Sequence, residues 1–333
     1  GKMICSFSGR ECTGKSGMVS RVIPLLFVML TVAQCSKGPA EPAWRTFGTG
    51  DGLGNNQVTG IAIDSKGRKW IACGIRKISC YDDLAWTTYS VPEELNCGFI
   101  FDIEVDSDDN RWIGTLGSGV VKFDGVTWTG FNTSSGFPGD DVLAVTGDSD
   151  GNMWFGTRGA AVMYDGTEWT VYTRADGLLS DTVTAIAEDS GGNMWFGSVS
   201  GSVSMFDGTN WYNFDRPAGT VKHIINDITP DREGNVWIAT VYGAVLYDGS
   251  GFTVYRDSDG LAGNAVYAIA VDSQGRKWFG TTDGVTLLDG TTWTTYTDSD
   301  GLAENQITDI TIEPGGNIWF ATARCGVTRL SFE

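Results

Sequence analysis

The 333-residue sequence has one histidine, eight prolines, and 23 basic against 41 acidic side chains, a net charge of -18. Each shortage excludes something. A single imidazole, His223, rules out two-histidine metal sites and leaves one candidate base for a serine or cysteine nucleophile. The acid excess repels nucleic acid and anionic membranes, so neither is an expected partner. Long helical patterns are absent, and so is the GxSxG elbow of serine hydrolases. The Asp-rich stretches Asp106–Asn110 and Asp148–Asn152 do not run on to the distal glutamate of a calcium-binding EF-hand loop and read better as turns. No metal and no cofactor is expected.

Hydrophobic runs are also short. The longest, Val22 to Ala33, follows Arg21 and has twelve residues, too few to span a bilayer. It reads as a signal peptide within a leader of residues 1–34, with the true start expected near Met18. Val32-Ala33-Gln34-Cys35 resembles a bacterial lipobox, although Gln34 stands where a small residue is usual. Cys35 is thus an expected lipidation site, and residues 35–42 a tether. The membrane is expected as a partner only through that anchor, with the protein periplasmic or at the outer-membrane surface. The leader also holds Gly9 to Ser16, which satisfies the GxxxxGK[ST] phosphate-loop pattern. A working phosphate loop needs a strand before it and a helix after it, and here an export segment follows.

What is abundant is glycine, 46 residues, and tryptophan, 13, with many Thr and Val, the profile of short strands and tight turns. The tryptophans are periodic. Trp70, Trp112, Trp154, Trp195, Trp237, Trp278 and Trp319 are spaced by 42, 42, 41, 42, 41 and 41 residues. Trp44, Trp86, Trp128, Trp169, Trp211, Phe252 and Trp293 each lie 26 residues before a member of that series, and Asp64, Asp106, Asp148, Asp189, Asp231, Asp272 and Glu313 lie six before. Each unit has four short alternating runs, here termed A to D, with turns such as Asp189–Asn193 between A and B and Asp207-Gly208 between C and D. Four-stranded units at a period near 42 predict an all-β, seven-bladed propeller over residues 43–333, with the tryptophans packed between blades. The small residues Ala72, Gly114, Gly156, Gly197, Ala239, Gly280 and Ala321 are expected to let neighbouring backbone approach. The last unit lacks a fourth run and the first is preceded by an orphan one, Ala43–Phe47, so the two ends are expected to complete one blade and close the ring.

The consensus DGLxxNxVxxIxxDxxGNxWxGTxxG, nearly complete from Asp176-Gly177-Leu178 to Trp195 and Gly197, resembles the two-component regulator propeller repeat. The resemblance covers residues 44 to 333. It implies an extracytoplasmic sensor region of the kind found in hybrid histidine kinases, many of them glycan-responsive. No kinase follows Phe332 in this sequence, so phosphotransfer is not carried over. The expectation is a free-standing exported binding protein or a sensor fragment.

In such a blade the A–B and C–D turns share one face, and the B–C and D–A loops share the other. The first set repeats one recipe; the second varies, which is where function is expected. Arg76, Lys77, Arg158, Lys222, His223 and Arg324 lie on these variable loops, with Tyr242 and Asp283. An anionic ligand such as a uronate or sulfated sugar would be gripped by the cations and stacked on Tyr242, unless these are solvated loop charges. Asn56, Asp141, Asp181, Asn264 and Asn305 could instead cap turns. Cys73, Cys80, Cys97 and Cys325 could form disulfides, with Cys73 and Cys80 able to pair across a hairpin. The leading expectation is a non-enzymatic binder of a small or oligomeric ligand, plausibly a glycan. A protein-interaction scaffold for an envelope protein stands second. A lyase or hydrolase stands third, since some seven-bladed propellers cleave cyclic peptide antibiotics with histidine clusters.

Overall fold

A computed structural model describes residues 42–215 and 223–332. The leader, Cys35, the tether before Pro42 and Lys222 lie outside the described residues. Seven four-stranded antiparallel sheets follow the repeat frame. Six are sequential meanders; blade 4, for example, runs Val183–Glu188, Met194–Ser198, Val203–Phe206 and Trp211–Phe214. Blade 7 is the exception. Its strands Ile307–Ile312, Ile318–Thr322 and Val327–Phe332 are completed by Pro42–Phe47, which pairs antiparallel with the last of them, Trp44 opposite Leu330. Among the described residues, no helix is long and apolar enough to cross a membrane.

The first tryptophan series is buried between blades, as its spacing predicts. Trp70 of blade 1 packs on Ile100, Ile103 and Phe123 of blade 2, and Trp319 of blade 7 packs on Val58, Ile61 and Ile71 of blade 1. Each indole N–H donates to the acid six residues earlier, from Trp319 to Glu313 at 2.5 Å to Trp278 and Asp272 at 3.2 Å. The same acids accept the amides of their own turn, as Asp189 does from Gly191 and Asn193. One carboxylate therefore ties the A–B turn to the buried indole, which explains the third register.

The second series has a different place. These rings are only partly buried, at the outer strand, and four of them, Trp86, Trp211, Trp293 and Trp44, cover Gly52, Gly177, Gly260 and Gly301 of the DGL loops. Gly301 shows why glycine is needed: its φ is +128°, and an added Cβ would lie 2.7 Å from the Trp44 ring. Glycines after the first-series tryptophans face the next blade's inner strand. A Cβ on Gly156 would meet the Val183 carbonyl at 2.8 Å, and one on Gly197 the Ile225 side chain at 2.4 Å, so side chains as well as backbone enforce the small residue.

Cys73, Cys80, Cys97 and Cys325 are free thiols. The hairpin register explains why the first two do not pair. Cys80 lies opposite Trp70, and the two cysteines enter cores on opposite faces of the sheet.

Candidate ligand site at the channel mouth

All seven innermost strands share one irregularity. The A–B register slips between the first and third residues of each A strand, from Val58 and Gly60 in blade 1 to Ile307 and Asp309 in blade 7. An innermost strand also has no ladder partner on its axial side, and here side chains of neighbouring blades take up the free groups. Asp102 Oδ2 accepts from the Val145 amide at 2.7 Å, Asp227 Oδ2 from Ile269 at 2.8 Å, and Asp309 Oδ2 from Ile61 at 2.7 Å. One residue earlier, Thr59, Thr184, Asn226 and Thr308 donate to carbonyls of adjacent inner strands. The result is a stapled inner wall.

That wall encloses a cavity of about 620 Å³ at the ring axis, within the range of small-ligand sites. Its mouth lies on the B–C and D–A loop face, where Gln57, Phe99, Gln306 and Ala323 line it. Phe101 and Tyr267 stand just inside, followed by Asp102, Asp227 and Asp309, with Glu104 deeper. Phe99 and Phe101 meet edge to face at 5.4 Å. The mouth is therefore concave and aromatic. Burial pushes the carboxyls up, Asp102, Glu104 and Asp309 to about 7 and Asp227 to about 6, with neighbouring acids adding to the rise at Asp102, Glu104 and Asp309. They encircle the cavity without converging: among the described residues, no group of three or more His, Cys, Asp or Glu side chains could hold a metal ion.

None of the sequence-identified site residues among the described residues lines this cavity. Several have local partners. Arg158 Nε pairs with Asp141 at 2.9 Å, and Arg76 donates to the Val91 carbonyl at 3.2 Å with Glu93 3.8 Å away. Lys77 Nζ donates to the Gly54 carbonyl at 3.3 Å. The Arg324 amide donates to Glu304, and Asp283 accepts from Thr282 Oγ1. The structure does bring His223 and Tyr242 together, stacked at 4.7 Å and 2° between planes, with the Arg256 guanidinium 5.0 Å from the same tyrosine ring. The turn-capping reading holds for Asn56, Asp181, Asn264 and Asn305, each of which accepts an amide seven residues back. Asp140 does the same in its loop, and Asp141 instead accepts from Gly117.

The cavity acids and aromatics were missed because nothing local marks them. The available signal was positional: Asp102, Asp227 and Asp309 occupy the A-strand position that holds Gly60, Ala144, Ala185 and Ala268 in the other blades.

The fold and its axial mouth define a seven-bladed β-propeller with a ligand-sized central site. The family model described as "Two component regulator propeller" matches three segments of the chain, residues 136–159, 177–200 and 260–283. No curated protein matches the chain in sequence. Among solved structures it is similar to the extracellular domain of BT3049 from B. thetaiotaomicron, described as a hybrid two component system, at TM-score 0.75 and 22% identity over 87% of this chain and 41% of that one. It is also similar to virginiamycin B lyase from Staphylococcus aureus, at TM-score 0.71 and 16% identity over 88% of this chain and 100% of that one. PorZ, a surface component of the type-IX secretion system of Porphyromonas gingivalis, aligns at TM-score 0.70 and 19% identity over 84% of this chain and 47% of that one. The chain thus spans about two fifths of the length of that extracellular domain of BT3049.

Proposed function

We propose that this chain is a non-enzymatic, extracytoplasmic ligand-binding propeller of a bacterial envelope protein, and that it takes a small uncharged ligand, a neutral glycan, in the axial mouth. The observation that carries this reading is the concave cavity of about 620 Å³ walled by Phe99, Phe101 and Tyr267 together with hydroxyl and amide side chains. Aromatic faces suit the apolar face of a sugar ring, and the polar ring suits its hydroxyls. Four carboxyls deeper in the cavity disfavour a uronate or sulfate there. An acidic substituent would remain at the rim, where Arg76, Arg158, Arg324 and the His223–Tyr242 stack form the outer contacts. A signal peptide ending before Cys35 and a lipid on that cysteine would hold the propeller at the envelope.

A second reading, a scaffold for an envelope protein, has its own support. Ile75, Leu116, Val199, Ile224 and Tyr242 are exposed on loops of this same face, Ile75 to 61%. A lyase has less support: its fold relatives are similar in architecture, but His223 is stacked at the rim and does not line the cavity.

The test is a thermal-shift panel of neutral and acidic oligosaccharides, because a ligand selective for the folded state must raise the melt. A neutral oligosaccharide that stabilises the native chain and loses its effect in Phe99→Ala and Tyr267→Ala supports the reading. If no sugar shifts the melt and an envelope protein co-purifies through Ile75 and Leu116, the scaffold reading replaces it.

A further inference from the structure

The ring's inner amides are held in pairs. Asp102 accepts from Ile103 and from Val145, Asp309 from Ile310 and from Ile61, and Asp227 from Ile228 and from Ile269. Each aspartate thus serves its own blade and the next: blades 2 and 3, 5 and 6, 7 and 1. Blade 4, with Ala144 before it and Ala185 in it, is the remainder that an odd number of blades requires. Glu104 lies two residues beyond Asp102, on the same cavity wall, and accepts from the Val105 amide. Among the described residues, the ionisable groups facing the cavity are these four carboxyls and the Tyr267 phenol, and no Lys, Arg or His lines it.

We propose that this belt is a proton-operated clamp on the propeller ring. Charged, the four carboxylates repel one another across the cavity and pull against the seams they staple. Protonated, each aspartic acid keeps a carbonyl oxygen for the amides while the repulsion disappears. Mild acidification of the surroundings therefore tightens the ring, and a neutral or alkaline medium loosens it. The clamp requires no ligand, so it stands or falls separately from the binding reading.

The raised carboxyl values support the geometry, and they fix the sign. A carboxyl that titrates near 6 to 7 in the folded ring and near 4 in the unfolded chain binds protons more tightly when folded. Its stabilising contribution is complete below about pH 4 and is lost as pH rises through 6 to 7. The turn carboxylates Asp189, Asp231 and Asp272, held below the ordinary range by their hydrogen bonds against the opposing cost of burial, act only at still lower pH.

Thermal unfolding of the full chain between pH 8 and pH 5.5 tests the clamp. The melt should rise by roughly 5 °C or more on acidification. Glu104→Gln removes one charge without touching an inter-blade bond, so it should raise the melt at pH 8 and flatten the slope. A melt that is level or falls toward pH 5.5, or an unchanged slope in Glu104→Gln, overturns the proposal. Should that variant fail to fold, infrared spectroscopy of the unaltered protein decides. A protonated-carboxyl stretch present at pH 5.5 and lost by pH 8 supports the clamp, and its absence at pH 5.5 overturns it.

Discussion

The backbone amide of Ile61, in the first blade, donates to Asp309 Oδ2 in the last at 2.7 Å, joining residues 248 apart in sequence. Two hydroxyls reinforce the same seam: Thr308 donates to the Val58 carbonyl and Thr311 to that of Ile61. Further out, Lys69 is wholly buried between the Tyr81 and Trp319 rings, 2.6 Å from Asp83 and 3.3 Å from Glu313. The seam between the last blade and the first is thus bonded at several depths, while the chain's two ends meet inside the last blade, where Pro42–Phe47 pairs with Val327–Phe332.

Replacing Asp309 with Ala leaves the amides of Ile61 and Ile310 without their acceptor inside the ring. The cost should be about 1–3 kcal/mol, the range for a buried unsatisfied donor. Because the ionised acid is itself unfavourable there, the loss should be larger at pH 5.5 than at pH 8. Urea unfolding at the two pH values measures both quantities, and equal losses would count against Asp309 being protonated in the folded ring.

Removing residues 42–47 deletes the outer strand of blade 7 together with the Trp44 ring that covers Gly301, and uncovers the edge of Val327–Phe332. An open sheet edge is also a template for association. The shortened protein should melt well below the parent and form dimers or larger species on a sizing column. An unchanged melt would mean that the terminal strand does not close the ring.

Gly197 sits where an added methyl group would come within 2.4 Å of Ile225 Cγ2 and 3.1 Å of Ile228 Cδ1. Gly197→Ala should therefore destabilise by about 1–3 kcal/mol, the usual cost of overpacking a core. Gly315→Ala provides the control. A Cβ there meets nothing within 4 Å and no positive φ is involved, so its melt should stay near that of the parent.

The architecture was legible because it is written seven times. A tryptophan every 41 or 42 residues fixes the blade, the acid six positions earlier fixes the turn, and the orphan run before Gly48 fixes the closure. The site was less legible because its parts come from different repeats. Asp102, Asp227 and Asp309 are 125 and 82 residues apart and meet only because the ring brings every A strand to one axis. Each A strand is a sheet edge facing the axis, and which side chains would accept from its free amides depends on the neighbouring blade, which one repeat does not reveal. Lys69 reads as an exposed charge beside a tryptophan, yet its partner Glu313 comes from the far end of the chain. The rim cations read as converging on a ligand, whereas Arg158 and Arg76 have carboxylates of their own close by.

The axial mouth, rather than the charged rim, is the heart of the functional reading, and calorimetric titration of the best-stabilising oligosaccharide addresses it directly. The expected result is saturable binding that disappears in Tyr267→Ala, whose side chain lines the cavity, and persists in Arg158→Ala, whose side chain stands at the rim. Binding that survives the tyrosine substitution and is lost with the arginine would contradict the account.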